Sequence, residues 1–466
     1  MKSRTIERGI SCLLFIAIVI SLMTWWDAWN LAHKRDVSAG WPNPTISVRN
    51  SACPARTGVF LVACDYQGNF MHYSDLSAKS LSPEDQILIG DMGRATDDIG
   101  QAFFLNMVAA VSGEPQRATK VGQINFVLNL TGLLLLWILV FRFGGLMGNF
   151  ALLIFGLISV NEKIVVPWHS LVEFFINTTS HGNFFGVSIL AILPAIALIE
   201  ITKSREARKP STKLFHITLG SMALVGFAIA AMMRESLAIS GFVALVVTVP
   251  FLWTREIGWR RMSLILGYGL VCLIILKIQY IITVLGGFLY QLPHPETVIG
   301  HGMAFSLVTG LGVIPNGFGL IGTDVDTIAM MARLHPDLVY GNQDFYAALS
   351  DWFVQAVLSD PLEVIRIYIT KFLYILVHSG NFIIMLVSSL VFWLGYRRFQ
   401  AEYPAKLRNC YKLYGIAIIV MLFMVIVQGV LVFIFDHYLY PIYIFCLMLF
   451  SIGFGRLLPI DFKRNR

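Results

Sequence analysis

The sequence predicts an all-α, polytopic membrane protein of about ten transmembrane helices with two large loops on the extracytoplasmic side. Three observations lead there. Hydrophobic residues make up 56% of the 466 residues and charged ones only 14%, against about 25% charged in a typical soluble domain. The apolar residues come in runs of about eighteen or more, long enough to cross a hydrocarbon core of about 30 Å as helix; a closed barrel would instead require short alternating segments. The basic residues fall between the runs, so the net charge of +7 reads as a topology signal and not as nucleic-acid binding.

The first run, Gly9 to Trp26, follows Lys2, Arg4 and Arg8, which is also how a secretory signal begins. No small-residue cleavage site follows it, and Trp25, Trp26 and Trp29 mark an interfacial aromatic belt, so this is read as a retained signal anchor. Further runs lie near 125–143, 145–160, 183–201, 214–233, 235–253, 262–288, 370–394, 413–435 and 438–455. The stretch 164–176, with Pro167, His169 and Glu173, is too short and polar to span and is read as re-entrant or interfacial.

Charge sets the orientation. With ten spans one face receives the N-terminus, Arg142, the five basic residues of Lys203 to Lys213, Arg255, Arg260 and Arg261. It also receives Arg397, Arg398, Lys406, Arg408 and Lys412, and the tail from Arg456. That face is expected to be cytoplasmic, with both termini on it. The whole chain, 1–466, is read as one membrane domain of a cell membrane, expected to be a bacterial inner membrane. The opposite face carries two long segments, 27–124 and 288–362. The second has seven acidic residues and one basic residue, Arg333. Loops of that length usually fold or function.

Chemistry is sought in those loops. The first ends in Gly90-Asp91-Met92-Gly93-Arg94-Ala95-Thr96-Asp97-Asp98, just before a helical stretch. Two readings stand for the acidic pair: an N-cap, or a carboxylate that takes the proton of an attacking hydroxyl. The second loop carries His301, glycines at 310, 312, 317 and 319, Asn316, and Asp324 with Asp326. The glycines permit close backbone approach, either to cradle a phosphate or sugar or to make a tight re-entrant turn. Asp324 and Asp326 are spaced to share a divalent cation, although two carboxylates at that spacing also arise by chance, and no motif specifies another cofactor. Arg234 and Glu235 interrupt two apolar runs at the outer surface. They are read either as a local ion pair or with Arg234 facing an anionic phosphate, for which its planar fork is suited. Lys371 reads as a snorkelling lysine. Cys53 and Cys64 share the first outer loop, either as a disulfide or as two thiols.

This layout resembles the GT-C-type integral membrane glycosyltransferases, which use polyprenyl-phosphate-linked sugars on the outer face of the membrane. It has a first outer loop with an acidic pair next to a juxtamembrane helix and a large outer loop between the seventh and eighth spans. The final outer turn, Asp436-His437-Tyr438-Leu439-Tyr440-Pro441, is similar too. The resemblance implies a GT-C-like fold and catalysis by Asp98 with Asp97, with the Gly310 to Asp326 region helping to close the site. It also implies Arg234, His301, Asn316 and Asp324 as substrate-binding residues. The partners implied are a lipid-linked sugar donor and a glycan, lipid or protein acceptor among membrane lipids. One departure matters: Asp97 lies far beyond the first span, which leaves Asp27 and Asp91 as rivals. O-antigen polymerases and ligases share the late outer loop, with His301 or Arg333 as functional residues, but an arginine-rich loop is expected there. A lipid-linked glycan transporter would place more charge in mid-span than Lys277 alone.

Overall fold

The computed structural model describes residues 2–32, 63–64, 70–71, 100–113, 118–157, 183–203, 210–252, 259–289, 302–338, 343–378, 381–402, 405–432, 434 and 436–458. Among these the protein is helical apart from a two-residue antiparallel ladder, β1 (Ala63–Cys64) with β2 (Phe70–Met71), in which Cys64 pairs with Phe70. Among the described residues, eight helices are long and apolar enough to cross a membrane: Thr5–Thr24, Gly122–Phe155, Phe184–Thr202, Leu214–Met233, Glu235–Leu252, Asn381–Ala401, Arg408–Leu431 and Tyr438–Leu457. The architecture is that of a multi-pass membrane protein.

The chain begins with α1 (Lys2–Ala32), whose candidate span ends at Thr24, so Asp27 follows the span while still within the helix. Helix α2 (Gly100–Ser112) starts two residues after Asp98, as the acidic pair before a helix requires. Helix α3 (Ala118–Leu157) is broken at Gly145, where φ 66° and ψ −162° leave helical space, a conformation open to glycine. The break is a sharp reversal. Trp137 Nε1 and Asn149 Nδ2 both donate to the Ser11 hydroxyl at 2.9 Å, whereas in a straight helix they would stand about 18 Å apart. The expected separation of 125–143 from 145–160 is therefore present. The second arm is described as far as Leu157. The stretch 164–176 lies outside the described residues.

Helix α4 (Phe184–Lys203) is the axis of the bundle: its sequence is apolar on all sides, and it is buried along most of its length. A helix apolar all round suits either lipid or a protein core, and here the neighbouring helices supply the surroundings. Helices α5 (Pro210–Met233) and α6 (Glu235–Leu252) form a hairpin around it with Arg234 at the corner. A methyl on Gly226 would meet Leu190 and Leu193, and one on Gly241 would meet the Ala191 carbonyl. At Gly186 a methyl would fall on the Leu128 carbonyl of α3, whose Asn129 side chain accepts the Gly186 N–H at 2.9 Å. Backbone-to-backbone contact of this kind is how helices associate where lipid offers no hydrophobic drive.

The expected span 262–288 is two helices, α7 (Trp259–Ile275) and α8 (Ile278–Leu289), interrupted at Leu276–Lys277. The exposed Lys277 marks the break. After α9 (Gly302–Leu311), α10 (Asp324–Leu334) and α11 (Gln343–Ser359) comes α12 (Pro361–Val377), then α13 (Asn381–Glu402), α14 (Ala405–Leu431) and α15 (Asp436–Leu457). The expected span 370–394 is thus divided. Asn381 Nδ2 donates to the Ile375 carbonyl at 2.7 Å and closes off the end of α12. Helices α9 to α11 have a small core of their own, Phe305, Val308, Met330, Met331, Phe345 and Leu349.

Contacts sort the bundle into two ends. At one, Arg142 forks onto Glu200 (Nε to Oε1 2.8 Å, Nη2 to Oε2 2.5 Å), which also accepts from the Tyr414 hydroxyl at 2.8 Å. Nearby ring and carbonyl contacts join the ends of α13 and α15: Arg456 lies over Phe399 at 4.6 Å, and Arg398 donates to the Leu457 carbonyl at 2.5 Å. These residues belong to the basic face of the sequence reading. The other end holds Asn183, Arg234, Gln279, Lys371, Val432 and Tyr438. Two measurements follow. A membrane-impermeant maleimide applied to closed vesicles should label Arg397→Cys and Val325→Cys from opposite sides; labelling from the same side would break this two-ended arrangement. Gly186→Ala should lower the thermal midpoint in detergent, overpacking costing about 1–3 kcal/mol. Gly267→Ala, where a methyl meets nothing within 4 Å, should leave it unchanged.

Candidate functional site

The end opposite the basic face gathers buried polar groups from distant parts of the chain. Arg234 is 6% exposed and sits at the α5–α6 corner, where it and Glu235 interrupt two apolar runs. Its backbone keeps both helices satisfied: the N–H donates to Ala230 O at 2.7 Å, and its carbonyl accepts from Leu237 and Ala238 at 3.1 Å. The guanidinium lies 4.6 Å from the Phe184 ring and directs Nε at Asn183 Oδ1, 3.4 Å away. Phe184 meets Tyr438 edge-on at 5.9 Å, and Gln279 Nε2 donates to the Ala231 carbonyl at 2.5 Å. Gly100, the first residue of α2, abuts the Met232 backbone and the Met233 sulfur, each 2.8 Å from where its methyl would be. The helix that follows Asp97 and Asp98 therefore begins against the turn that presents Arg234. A guanidinium fork is in general suited to an oxyanion.

Asp91, Asp97, Asp98 and His301 lie outside the described residues, as does Cys53. Asp27 belongs to α1. The second-loop residues are described, and their roles differ from the cradle expected of them. Asn316 Nδ2 donates to the carbonyls of Ile314 and Leu320, both at 2.9 Å, while Oδ1 accepts from Phe318 and Leu320 N–H at 3.1 Å. A primary amide has little more to give, so Asn316 braces its own loop. The Gly317 N–H, which a phosphate would need, donates to Glu363 Oε1 at 2.6 Å. Glu363 in turn accepts from Arg366 at 2.6 and 2.7 Å, and Arg366 also donates to the Pro315 carbonyl at 2.8 Å. The anion in the glycine loop is the protein's own. Bonding to Arg366, then to the Gly317 N–H, holds the Glu363 carboxyl down at about 2. The latch is accordingly intact above the ordinary carboxylate range and lost only as pH falls through that low value.

Asp324 opens α10, whose N-cap is Thr323. The Thr323 hydroxyl accepts from the Asp326 N–H at 3.2 Å and donates to the Asp326 carboxylate. This is a capping arrangement, so the Asp326 carboxylate is engaged at the start of its own helix. Among the described residues, no group of three His, Cys, Asp or Glu is placed to hold a metal ion.

Lys371 corrects a further expectation. It does not snorkel: it is 0% exposed, with Nζ donating to Gly310 O at 3.0 Å and Val432 O at 2.8 Å and the Tyr368 ring 5.9 Å away. Those carbonyls belong to the C-terminal ends of α9 and α14, where helix dipoles concentrate negative charge. One ammonium thereby joins the outer loop to the bundle. No local signal announces this, nor the parts played by Asn183 and Phe184, because each partner comes from elsewhere in the chain.

Lys371→Met keeps the chain length of the side chain but strands two buried carbonyls at about 1–3 kcal/mol each. It should lower the thermal midpoint in detergent and expose α9 to α10 to limited proteolysis. An unchanged midpoint and digestion pattern would remove the joining role. Comparison with known protein families finds no match to this chain, and neither do comparisons with curated proteins and with solved structures.

Proposed function

We propose that the chain is a membrane glycosyltransferase of GT-C type, moving a sugar from a polyprenyl-phosphate-linked donor to a glycan, lipid or protein acceptor. It works on the extracytoplasmic face of a bacterial inner membrane, with the basic end of the bundle and both termini in the cytoplasm. The observation that carries this reading is the contact of Gly100 with Met232 and Met233. It brings the start of the helix after Asp97 and Asp98 to the corner that holds Arg234. A carboxylate and a guanidinium are the two groups the transfer needs. The donor's tail stays in the bilayer, so its phosphate and sugar reach only this end of the bundle.

In the proposed step the acceptor hydroxyl oxygen attacks the anomeric carbon, and the bond from that carbon to the phosphate oxygen breaks. The electron pair leaves with the phosphate, whose growing charge Arg234 meets. The hydroxyl proton passes to the Asp98 carboxylate, and the products are a glycoside and polyprenyl phosphate. Pre-placed charge of this kind is the main source of rate in such reactions.

Asp98→Asn keeps the size of the side chain but cannot take a proton at neutral pH, so transfer should fall about 100- to 10,000-fold while the protein still elutes as one peak in detergent. As an N-cap alone, Asn would serve about as well as Asp, and activity would persist. Arg234→Gln should also suppress transfer. The assay follows sugar from hexosyl and pentosyl polyprenyl-phosphate donors, with Asp97→Asn, Asp91→Asn and Asp27→Asn in parallel. An active Asp98→Asn beside an inactive Asp91→Asn or Asp27→Asn moves the base; activity in all four overturns the site. Consumption of a diphosphate-linked glycan in place of the monophosphate sugar would select the polymerase or ligase reading.

A further inference from the structure

Helix α12 has a feature that neither the bundle nor the candidate site uses. Its buried residues, Val364, Ile367, Lys371 and Ile375, lie on one face. The side away from that face carries a second apolar stripe: Leu362 (76% exposed), Ile365 (51%), Ile369 (54%), Phe372 (42%) and Leu373 (53%). At helical periodicity these five fall within an arc of about 100°. Arg366 and Thr370, both exposed, border the stripe along one edge, which the exposed Val377 continues at the end of the helix. In water such a stripe is costly, and an apolar arc with a polar edge is the mark of a helix lying in a membrane interface.

Its level in the molecule agrees. The Lys371 ammonium bonds the Val432 carbonyl, and the Ile375 side chain lies against Gly429, so the middle of α12 crosses α14 where the candidate span Arg408–Leu431 ends. Exposed apolar side chains also open the next candidate span, α13: Phe382, Ile383 and Leu386. Two orientations fit that anchoring. Standing upright, α12 would carry Leu362 about 14 Å beyond Lys371, leaving half the stripe in water. Lying flat, it places the whole stripe at the acyl boundary and Arg366 and Thr370 among the headgroups.

We propose that the exposed apolar face of α12 docks on the outer leaflet, with the helix in the plane of the interface. The Gly317–Glu363–Arg366 latch then ties the glycine loop to the membrane surface at a fixed height. This rests on the membrane architecture and not on glycosyl transfer, so either reading can fail alone. The test uses the full chain with its native cysteines replaced, matched to the parent by chromatography and reconstituted into phosphatidylethanolamine–phosphatidylglycerol liposomes. Single nitroxide labels go at 365 and 369 on the stripe, 370 on the edge, 386 as a lipid-facing reference and 351 as an aqueous one. Collision with oxygen and with a water-soluble nickel chelate is measured at each. Labels at 365 and 369 should match 386, with an oxygen-to-nickel ratio several-fold above those at 370 and 351. Nickel access at 365 and 369 equal to that at 351 would mean an upright helix in water. Shielding of both from either reagent would mean that protein, a second copy or another part of the chain, covers the stripe. Each of those results overturns the proposal.

Discussion

The structure depends on one helix having no free side. Helix α4 is buried on every side along most of its length, and the other spans are arranged by how they reach it. Two of its neighbours approach through glycine, Gly186 of α4 itself against α3 and Gly241 of α6 against Ala191. Dispersion and backbone contact replace the hydrophobic effect as the binding force there. Its ends are then fixed by polar contacts that differ in kind. Glu200 receives Arg142 and Tyr414 at one end. At the other, Phe184 lies under Arg234. The first is a closed ion pair with its hydrogen bonds made; the second is a cation over a ring, its Nε directed at the Asn183 side chain.

How much of this was legible follows from what hydropathy can carry. Runs such as 183–201, 214–233 and 438–455 needed only their own composition, and they appear as α4, α5 and α15. The basic residues also spoke correctly for one end, since Arg142, Arg398 and Arg456 gather there. The misread segments are those where a run of apolar residues is interrupted by geometry. Lys277 divides 262–288, and 370–394 is divided between α12, which ends at Val377, and α13, which begins at Asn381. Each break is a local signal, but its weight depends on the neighbours that accept it. Lys371 is the extreme case. Its two carbonyl partners each lie 61 residues away, so a buried clasp and a snorkelling lysine look the same in sequence.

The second outer loop shows the same limit from the other side. Glycines and an asparagine in a polar loop suggest an anion cradle, and an anion is indeed bound there, but it is Glu363. Asn316 uses its amide to satisfy the turn around it. Such a loop is stiff because its polar groups are already paired, and stiffness suits a part that sets the height and shape of a site more than one that opens to take ligand. The acidic residues Asp91, Asp97 and Asp98 stand outside the described residues, so the site is defined from the side that is described, by Arg234 and the start of α2.

These parts form a chain of fixed levels. Arg234 is set by the α5–α6 corner, which the burial of α4 fixes in depth. Lys371 holds the outer loop to the end of α14, and the Glu363–Arg366 pair holds the glycine turn to α12. A substrate whose reactive end must stay at the membrane surface can be met productively only if the charged groups are kept at that surface too. The polar contacts at this end of the bundle are spent on that positioning: carbonyls at helix ends take the lysine, a loop N–H takes the glutamate, and a ring carries the arginine. None of these needs an ion pair buried in the bundle core, where desolvation would work against it.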